Sequence, residues 1–335
     1  MTVKTTAALA AGLVAGLLSG SALAQEFVPA VIFDMGGKFD KSFNEAAYNG
    51  AERYKKETGI QYREFEITNE SQREQALRNL ARRNVGIIVS VGFTQQTAIQ
   101  TVAPEFKDVK FTLIDSVVEA PNVNSILFKE EEGSFLVGVA AALTSKTDKV
   151  GFIGGMDIPL IRAFGCGYAQ GAKYVKQNVQ YIGNMTGTTP AAWRDPAKGG
   201  ELAQSQFDRG VDVIFAAAGG TGDGVIRAAK DKGKFAIGVD SNQNHMAPGT
   251  VLTSMVKRVD LAVYDSFKNA QNKTWKAGTT VLGLKEEGVG YALDDNNKSV
   301  FTDAIKAKVE AAKADIIGGK ISVVDYRKAN SCPVS

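Results

Sequence analysis

Short apolar runs alternate with longer amphipathic stretches along most of the chain. The runs are mostly rich in Val, Ile and Phe and are bounded by Gly, Asp or Asn, which is typical of buried parallel strands. The runs that predict strands are Pro29–Phe33, Gln61–Glu66, Gly86–Val91, Lys110–Ile114, Val123–Phe128, Lys149–Ile153, Gln180–Asn184, Val211–Ala217, Phe235–Val239 and Val251–Met255. Strands of this kind occur in sheets that are covered on both faces.

The stretches between these runs carry helical periodicity. In the first of them, Ala47, Ala51 and Tyr54 fall on one face of a helix. The predicted helices are Asn44–Gly59, Glu70–Arg83, Glu130–Leu143, Pro159–Gln177, Lys198–Arg209, Gly222–Lys232 and Arg258–Ala270. A repeated strand–helix–strand order predicts an α/β fold with mostly parallel sheets and helices on both faces.

The strand–helix order starts a second time after the polar segment 145–148. Val31–Phe33 opens the first series and Val150–Ile153 opens the second, which predicts two similar α/β lobes with a ligand cleft between them. The expected bounds are 25–145 plus about 270–318 for lobe I, and 146–269 plus about 319–335 for lobe II.

The last part of the chain is too short for a third domain, and we expect it to complete the two lobes. The elements predicted there are strands at Val281–Leu284, Gly290–Leu293 and Ile321–Val324 and a helix at about Ser299–Ala314.

Residues 1–24 have the pattern of a cleaved export signal. Lys4 precedes an apolar stretch at 7–18, and Ala22-Leu23-Ala24 fits the A-x-A cleavage pattern. The alternative, a membrane anchor, would need about 20 apolar residues. No cysteine lies near the cleavage site. We therefore expect a periplasmic protein that is soluble after signal cleavage and has no lipid anchor.

Charge and motif content exclude several classes of function. The 39 basic and 36 acidic side chains nearly balance, and no arginine-rich block occurs, so nucleic acid is not an expected partner. His245 is the single histidine, and the chain lacks a nucleophile elbow, a Walker loop and a metal-binding His-Glu-x-x-His helix. The sequence therefore favours binding over catalysis, with no cofactor and no metal.

Three carboxylates directly follow predicted strands: Asp34, Asp115 and Asp240. The carboxyl ends of parallel strands border the crevice in which open α/β sheets bind ligands. A single aspartate there is often only a helix cap, but three in equivalent places indicate a site. Ionised carboxylates accept hydrogen bonds and do not donate them, so they suit a ligand with hydroxyl or N–H donors, such as a ribose or a purine edge.

Other side chains and glycines near strand ends are further candidates for the same cleft. For each, an ordinary alternative stays open: packing for the aromatic residues and methionine, a tight turn for the glycines, and a solvated position for the lysine. The candidates are Phe43, Met156, Phe164, Trp193, Gly219, Gly220 and Lys257.

Cys166 and Cys332 are the two cysteines of the chain. In an oxidising compartment they can pair, and such a bond would fix the C-terminal tail. Two separate buried thiols are the alternative. A metal site is not expected from two cysteines and one histidine, because zinc usually takes three or four protein ligands.

The segment from Asp34 to Asn44, DMGGKFDKSFN, resembles the D-x-G-x-x-x-D-x-S-F-N signature of the basic membrane protein family. These are substrate-binding proteins of ABC transporters, similar to the purine nucleoside receptor of spirochaetes. Segments that resemble the same family follow in order at 154–159, 195–199, 217–222, 238–241 and 254–258. The resemblance covers nearly all of the mature chain.

The resemblance implies a type I periplasmic-binding-protein fold, in which two Rossmann-like lobes with parallel sheets are joined by three crossovers. It also implies that Phe43 stacks on a purine and that Asp240 holds ribose hydroxyls. A second aromatic residue facing the base is not assured by the resemblance: Phe215 lies in an Ala-rich strand and can point away into the sheet, in which case Trp193 or Phe164 would take its place. The other residues that the resemblance places around the ligand are Asp34, Asn44, Asp115, Gly219, Gly220 and Lys257.

We therefore expect a monomeric solute-binding protein that carries a purine nucleoside to an ABC permease in the inner membrane. A nucleobase, a sugar or a flavin-like solute is the alternative ligand within the same class. An enzyme that cleaves nucleosides, using Asp34 and Asp115 with a metal, or an accessory subunit of a sensor, is the alternative from another class.

Overall fold

The computed structural model describes residues 1–2 and 27–334. The export signal predicted at 1–24 therefore falls, apart from its first two residues, outside the described residues. Within the described ranges, no helix combines the length and the apolar character that a membrane span needs.

The first sheet is parallel throughout and follows the strand order β11-β5-β4-β3-β1-β2. Its strands are β1 (Pro29–Phe33), β2 (Arg63–Glu66), β3 (Ile87–Ser90), β4 (Lys110–Ile114), β5 (Val123–Phe128) and β11 (Gly278–Leu282). Because the strands are parallel, Asp34 and Asp115 leave β1 and β4 at the same edge of this sheet.

The second sheet repeats the arrangement in the order β12-β10-β9-β8-β6-β7, and only its edge strand β12 is antiparallel. Its strands are β6 (Lys149–Met156), β7 (Gln180–Gly187), β8 (Val213–Ala217), β9 (Phe235–Asp240), β10 (Val251–Lys257) and β12 (Val289–Tyr291). Asp240 and Lys257 are the last residues of two neighbouring strands.

Helices cover both faces of each sheet, as the predicted rhythm requires. They are α1 (Phe43–Thr58), α2 (Arg73–Ala81), α3 (Gln96–Val102), α4 (Glu130–Thr144), α5 (Pro159–Val175), α6 (Pro196–Asp208), α7 (Gly222–Asp231), α8 (Val259–Gln271), α9 (Asp303–Ile317) and α10 (Tyr326–Ala329). One cluster of buried side chains extends through both lobes, and each sheet has a further cluster of its own.

Three connections pass between the sheets: the end of β5 to α4, the end of β10 to α8, and β11 to β12. The first lobe consists of the first sheet with α1, α2, α3 and α8, because α8 packs on α1, β3 and β4. The second lobe consists of the second sheet with the remaining helices, because α4 packs on α5, β10 and α9.

These contacts differ from the lobe bounds expected from the sequence. Helix α4, at 130–144, belongs to the second lobe and not to 25–145 of the first, while α8 belongs to the first lobe. Of the segment 270–318, β11 joins the first sheet, but β12 and α9 join the second lobe. Apolar periodicity shows that a helix is buried and does not show which sheet it covers, so the crossing points were misplaced.

The predicted strand Ile321–Val324 does not form. The backbone of Val324 is instead bonded by the Gln170 side chain, which donates from Nε2 to its carbonyl at 3.0 Å and accepts from its N–H at 2.9 Å. A side chain on α5 thus satisfies the polar groups that a neighbouring strand would otherwise satisfy. Close by, a disulfide joins Cys166 on α5 to Cys332 in the tail.

Candidate functional site

A cavity lies between the lobes, at the edges where β1, β4, β9 and β10 end. It encloses about 620 Å³ between atoms, including the part that opens to solvent. The residues that line it are Asp34, Met35, Gly36, Asp40, Phe43, Asn44, Gly92, Phe93, Asp115, Leu160, Ile161, Phe164, Trp193, Ala217, Gly219, Val239, Asp240 and Lys257.

Asp34 and Asn44 are hydrogen-bonded to each other on the side of the cavity that the first lobe forms. The Asp34 backbone N–H donates to Asn44 Oδ1 at 2.9 Å, and the Asp34 carboxylate accepts from the Thr94 hydroxyl at 2.8 Å. Burial raises the pKa of Asp34, while its hydrogen bonds to the Met35 N–H and to Thr94 act in the opposite direction. Asn44 is almost wholly buried and holds the strand end to the start of α1.

Asp40 fixes the first turn of α1. Its carboxylate accepts from the backbone N–H groups of Ser42, Asn44 and Glu45 at 2.8 to 3.1 Å, so it takes the place of a conventional capping side chain. Burial raises the pKa of Asp40 to about 6, although these N–H donors favour the ionised form. The cap fixes the start of α1, and Phe43, its first residue, lines the cavity.

Lys257 connects the two lobes at the bottom of the cavity. Its side chain is 2% exposed, and Nζ lies 2.7 Å from Asp115 Oδ2 and 2.9 Å from Glu130 Oε1. Burial alone lowers the pKa of Lys257, but the carboxylates of Asp115 and Glu130 outweigh it and hold the pKa above its ordinary value. The lysine is therefore a paired cation and not a free donor.

Asp115 presents one oxygen that has no protein partner. Oδ2 accepts from Lys257, whereas Oδ1 is buried and makes no hydrogen bond. A buried acceptor without a partner costs about 1–3 kcal/mol. Burial raises the pKa of Asp115, and Lys257 acts against this shift. A hydrogen-bond donor on a bound molecule would satisfy the free oxygen.

Asp240 is the matching carboxylate of the second lobe. It accepts a short hydrogen bond from the Ser42 hydroxyl of the first lobe. Burial raises the pKa of Asp240 to about 6, while Lys257 and the Ser42 hydroxyl favour ionisation. The site therefore has an acceptor on each lobe, and both take part in contacts between the lobes: Asp240 with Ser42 and Asp115 with Lys257.

Aromatic rings form the apolar walls. Phe43 and Phe93 line the cavity from the first lobe, and Phe164 and Trp193 line it from the second. Lys257 Nζ lies 5.1 Å from the ring centroid of Phe43 and 5.7 Å from that of Phe164. The Trp193 ring packs directly on Gly155, where any Cβ would overlap it.

Nine of the predicted binding residues line the cavity and two do not. The predicted residues that line the cavity are Asp34, Phe43, Asn44, Asp115, Phe164, Trp193, Gly219, Asp240 and Lys257. Met156 and Gly220 are not part of the lining. Met156 ends β6, where its backbone pairs with Gly187 of β7, and a Cβ built on Gly220 would lie 3.3 Å from the Trp193 carbonyl oxygen. Phe215 is fully buried against Phe152 and Tyr168 and does not reach the cleft.

Asp40 and Glu130 were not predicted as site residues. Asp40 lies within the DMGGKFDKSFN motif, and its capping pattern of an acidic residue before a helix was the available signal. Glu130 is fully buried on α4 and reaches the site only through Lys257. No local pattern marks such a residue.

The charges of the lining limit what it can bind. Among the described residues that line the cavity, Asp34, Asp40, Asp115 and Asp240 carry carboxyl groups and Lys257 carries the ammonium. With that ammonium already paired, the polar part of the site mainly accepts hydrogen bonds. It suits a molecule that offers hydroxyl or N–H donors together with a planar apolar face.

The lobes touch each other beside the cavity. The Ser241 hydroxyl of the second lobe donates to the Ser42 carbonyl at 2.9 Å, and Gln243 Nε2 donates to the Lys41 carbonyl at 2.9 Å. The described arrangement is therefore one in which the lobes are closed.

Comparisons with known proteins agree on the class of protein. The family model described as "Bmp: ABC transporter substrate-binding protein PnrA-like" matches residues 27–326. An uncharacterized lipoprotein of Pyrococcus horikoshii is 38% identical over 84% of this chain and 74% of its own length. A Lactococcus lactis protein named "ABC transporter nucleoside-binding protein BmpA" is 33% identical over 88% of both chains.

Solved structures show the same architecture. A solute-binding protein of an ABC transporter system from Aeropyrum pernix is similar with a TM-score of 0.82 and 29% identity, over 92% of this chain and 100% of that one. A second solute-binding protein, from Conexibacter woesei, has a TM-score of 0.75 at 23% identity over 90% of this chain and 99% of that one, and it supports the fold alone. The predicted α/β fold of the type I periplasmic-binding-protein kind is confirmed.

One expectation about the mature protein is wrong. The chain was expected to be soluble in the periplasm without a lipid anchor, but similar proteins from Pyrococcus horikoshii, Pyrococcus abyssi and Pyrococcus furiosus are all named lipoproteins. The expectation rested on a single missing residue type, a cysteine near residue 24, in a segment that lies outside the described residues.

Proposed function

Because the chain belongs to the Bmp family of PnrA-like ABC transporter substrate-binding proteins, we propose that its cleft binds a purine nucleoside or a closely related compound. Proteins of this class bind a small ligand and present it to a membrane permease. The proposal concerns which ligand this chain takes and which residues hold it.

The observation that carries the proposal is the partnerless Oδ1 of Asp115 in a cavity bordered by aromatic rings. A ribose hydroxyl or a purine N–H would donate to this oxygen and remove the cost of burying it unpaired. Asp240, on the opposite lobe, would accept from a second hydroxyl. Two acceptors on two lobes suit the adjacent hydroxyls of a ribose.

The aromatic residues supply the apolar part of the same recognition. A purine between Phe43 of the first lobe and Phe164 or Trp193 of the second would bury both of its faces. A sugar alone would leave most of this apolar wall without a partner, and a free base would leave the ribose acceptors unpaired. The name of the Lactococcus lactis relative supports a nucleoside over both.

Calorimetric titration of ligand-stripped protein tests the proposal. The panel is inosine, adenosine and guanosine, with hypoxanthine, ribose and riboflavin as the alternatives. We expect binding of at least one purine nucleoside. The free base and ribose should each bind at least about a hundredfold more weakly, because a site whose buried polar groups lose their partner rejects an analogue by up to about 10⁴-fold. Tighter binding of ribose, hypoxanthine or riboflavin would replace the proposed ligand.

Chromatography of the same mixtures separates binding from catalysis. We expect inosine to be recovered intact after long incubation with the protein. Release of hypoxanthine would instead assign the chain to the nucleoside-cleaving enzymes.

Replacing Phe43 tests the stacking role. Phe43→Ala should weaken nucleoside binding by about 0.5–1.5 kcal/mol beyond the loss of buried area, because a ring against the base is removed. Phe39→Ala is the matched control, because the Phe39 side chain is 65% exposed and does not line the cavity. Calorimetry should show a loss of nucleoside affinity for Phe43→Ala and none for Phe39→Ala. Equal affinities of the two variants would show that Phe43 does not stack on the base.

A further inference from the structure

A chain of ion pairs leads from the C-terminal tail into the ligand cavity. Arg327 Nη1 lies 2.7 Å from Glu130 Oε2, and Glu130 Oε1 lies 2.9 Å from Lys257 Nζ. Lys257 Nζ in turn lies 2.7 Å from Asp115 Oδ2. Arg327 does not line the cavity, yet three successive ion pairs connect it to Asp115, which does.

Arg327 also holds the first connection between the lobes. Its Nη2 group donates to the Phe128 carbonyl at 3.1 Å and to Glu131 Oε2 at 3.0 Å, so it spans the end of β5 and the start of α4. The side chain is oriented by Asp325, whose Oδ1 accepts from Nε at 2.8 Å. One guanidinium therefore meets three carboxylates and a backbone carbonyl at a crossing point.

The segment that carries Arg327 is fixed to the second lobe on both sides. Before it, Val324 is bonded by Gln170 of α5. After it, the disulfide joins Cys332 to Cys166 of the same helix. Helix α5 also carries Phe164, which lines the cavity. The tail is thus anchored to an element that builds the ligand site.

The charged groups in this series of ion pairs are buried, so a change at one of them affects its neighbours. The side chains of Glu130 and Lys257 are 0% and 2% exposed, and that of Asp115 is 5% exposed. In a low-dielectric interior, removing one partner leaves a buried charge uncompensated. Without Arg327, Glu130 would have Lys257 as its remaining cation. The lysine would then be drawn toward Glu130 and away from Asp115.

We propose that Arg327 is a positioning residue for the ligand cavity: by neutralising one side of Glu130, it leaves the Lys257 ammonium shared between Glu130 and Asp115, and so sets the orientation of the Asp115 carboxylate toward the ligand. The part of this inference that concerns affinity rests on the proposed function, because it needs a nucleoside as the ligand. The part that concerns Lys257 does not.

A double-mutant cycle read by calorimetry with inosine tests the affinity. Arg327→Met should raise the Kd on the order of tenfold, within the coupling expected for residues of one ion-pair network. In a Glu130→Gln background the same substitution should change the Kd by less than about twofold, because the charge through which Arg327 acts is gone. An equal effect of Arg327→Met in both backgrounds would overturn the proposal.

Two further variants separate positioning from a general loss of structure. Arg327→Lys keeps a cation beside Glu130 and should restore most of the affinity. Lys328→Ala, at the neighbouring exposed basic residue, should leave the Kd unchanged. Failure of Arg327→Lys to improve on Arg327→Met would contradict the role of the charge. A loss in Lys328→Ala as large as that in Arg327→Met would show that the tail acts without Arg327.

A measurement without ligand keeps this inference distinct from the proposed function. In ¹H–¹⁵N spectra of the lysine ammonium groups, the Lys257 signal is assigned by its loss in Lys257→Met. That signal should shift in Arg327→Met and stay in place in Lys328→Ala. If no nucleoside binds the wild-type protein, the proposed function is wrong. The change in the Lys257 signal still tests whether Arg327 positions Lys257. An unmoved Lys257 signal in folded Arg327→Met would overturn it.

Discussion

Asp115 and Asp240 share an unusual backbone as well as a place at the end of a strand. Their φ angles are +72° and +62°, in the left-handed region that non-glycine residues rarely adopt. Aspartate tolerates this region better than most residues, but the conformation still costs free energy that the surrounding structure must offset. In both lobes the turn directs a carboxylate into the cleft in place of continuing the strand.

The affinity for a nucleoside should depend on pH through Asp240. Ligand hydroxyls donate to the ionised carboxylate, and the pKa of Asp240 is raised to about 6 by burial. Between about pH 7 and about pH 5 the Kd should therefore rise on the order of tenfold, because the carboxylate is progressively protonated. Calorimetry across this range checks the prediction, with Asp240→Asn as the variant that should bind weakly at all pH values. A wild-type Kd that is constant over the range would contradict it.

The raised pKa of Asp240 affects the stability of the ligand-free protein in the opposite direction from its effect on binding. Because the folded-state pKa of Asp240 lies above the ordinary aspartate value, the folded protein binds the extra proton more readily than the unfolded chain does. The stabilisation is fully present below the unfolded pKa and is lost as the pH rises through about 6. Acid should therefore weaken binding while Asp240 itself contributes more to folding.

Among single residues, the sequence could identify those whose position in the cleft follows from their place at the end of a strand. Asp34, Asp115 and Asp240 could be found because parallel strands bring their carboxyl ends together. Glu130 could not, because its importance comes from a lysine that is distant in the sequence. Met156 and Gly220 do not line the cavity, since a position near a strand end does not fix which way a residue faces.

Helices α4 and α5 lie so close that their backbones touch. A Cβ on Gly171 of α5 would overlap the Phe135 carbonyl of α4, and one on Gly138 of α4 would overlap the Tyr168 carbonyl of α5. This contact sets the distance between the helix that starts with Glu130 and the helix that carries Phe164. The packing of two elements thereby fixes two parts of the site relative to each other.

Adding a methyl group to this contact should destabilise the protein. Gly171→Ala is expected to lower the free energy of unfolding by about 1–3 kcal/mol or more, because the obstructing atom belongs to rigid backbone. Gly200→Ala on α6 is the control: its Cβ would be in ordinary contact at 3.5 Å from the Gly224 carbonyl, and alanine favours the helix. Urea titration of both variants checks the difference. A Gly171→Ala midpoint at or above the wild-type value would contradict the packing argument.

The sequence predicted most elements, because strands with continuous apolar runs and helices with one apolar face leave a clear periodicity. Helix α3 was missed, since Gln96–Val102 is only two turns long. The strand expected at Ile321–Val324 was wrong, because an apolar run of four residues shows burial but not a pairing partner. The partner in this case is the side chain of Gln170.

For the molecule as a whole, family resemblance carried more information than periodicity. The ordered motifs that begin at Asp34 indicated the basic membrane protein family, and the match over residues 27–326 confirms that assignment. Periodicity alone indicated two α/β lobes, but it misplaced the connections between them. Those connections depend on how α4 and α8 pack, which is a tertiary property.

The contacts between the closed lobes should set how long a ligand stays bound. Ser241→Ala removes one hydrogen bond between the lobes, worth about 0.5–1.5 kcal/mol, and should speed nucleoside dissociation by about two- to tenfold with little change in the association rate. Ser331→Ala is the control, because the Ser331 hydroxyl bonds only within the tail, to the Ala329 carbonyl. Stopped-flow fluorescence measures both rates. Identical dissociation rates for the two variants would show that Ser241 does not hold the lobes closed.

The three connections between the lobes also determine the order in which the lobes can fold. The first lobe begins at β1 but needs α8 and β11, which follow only after all of the second lobe up to β10. A chain emerging from the ribosome therefore holds β1–β5 as an incomplete sheet, with the face of Tyr54 that later meets Phe267 still uncovered. Pairings between such distant segments form slowly. Neither lobe is a contiguous unit that could be completed first, so the two lobes should fold together and late.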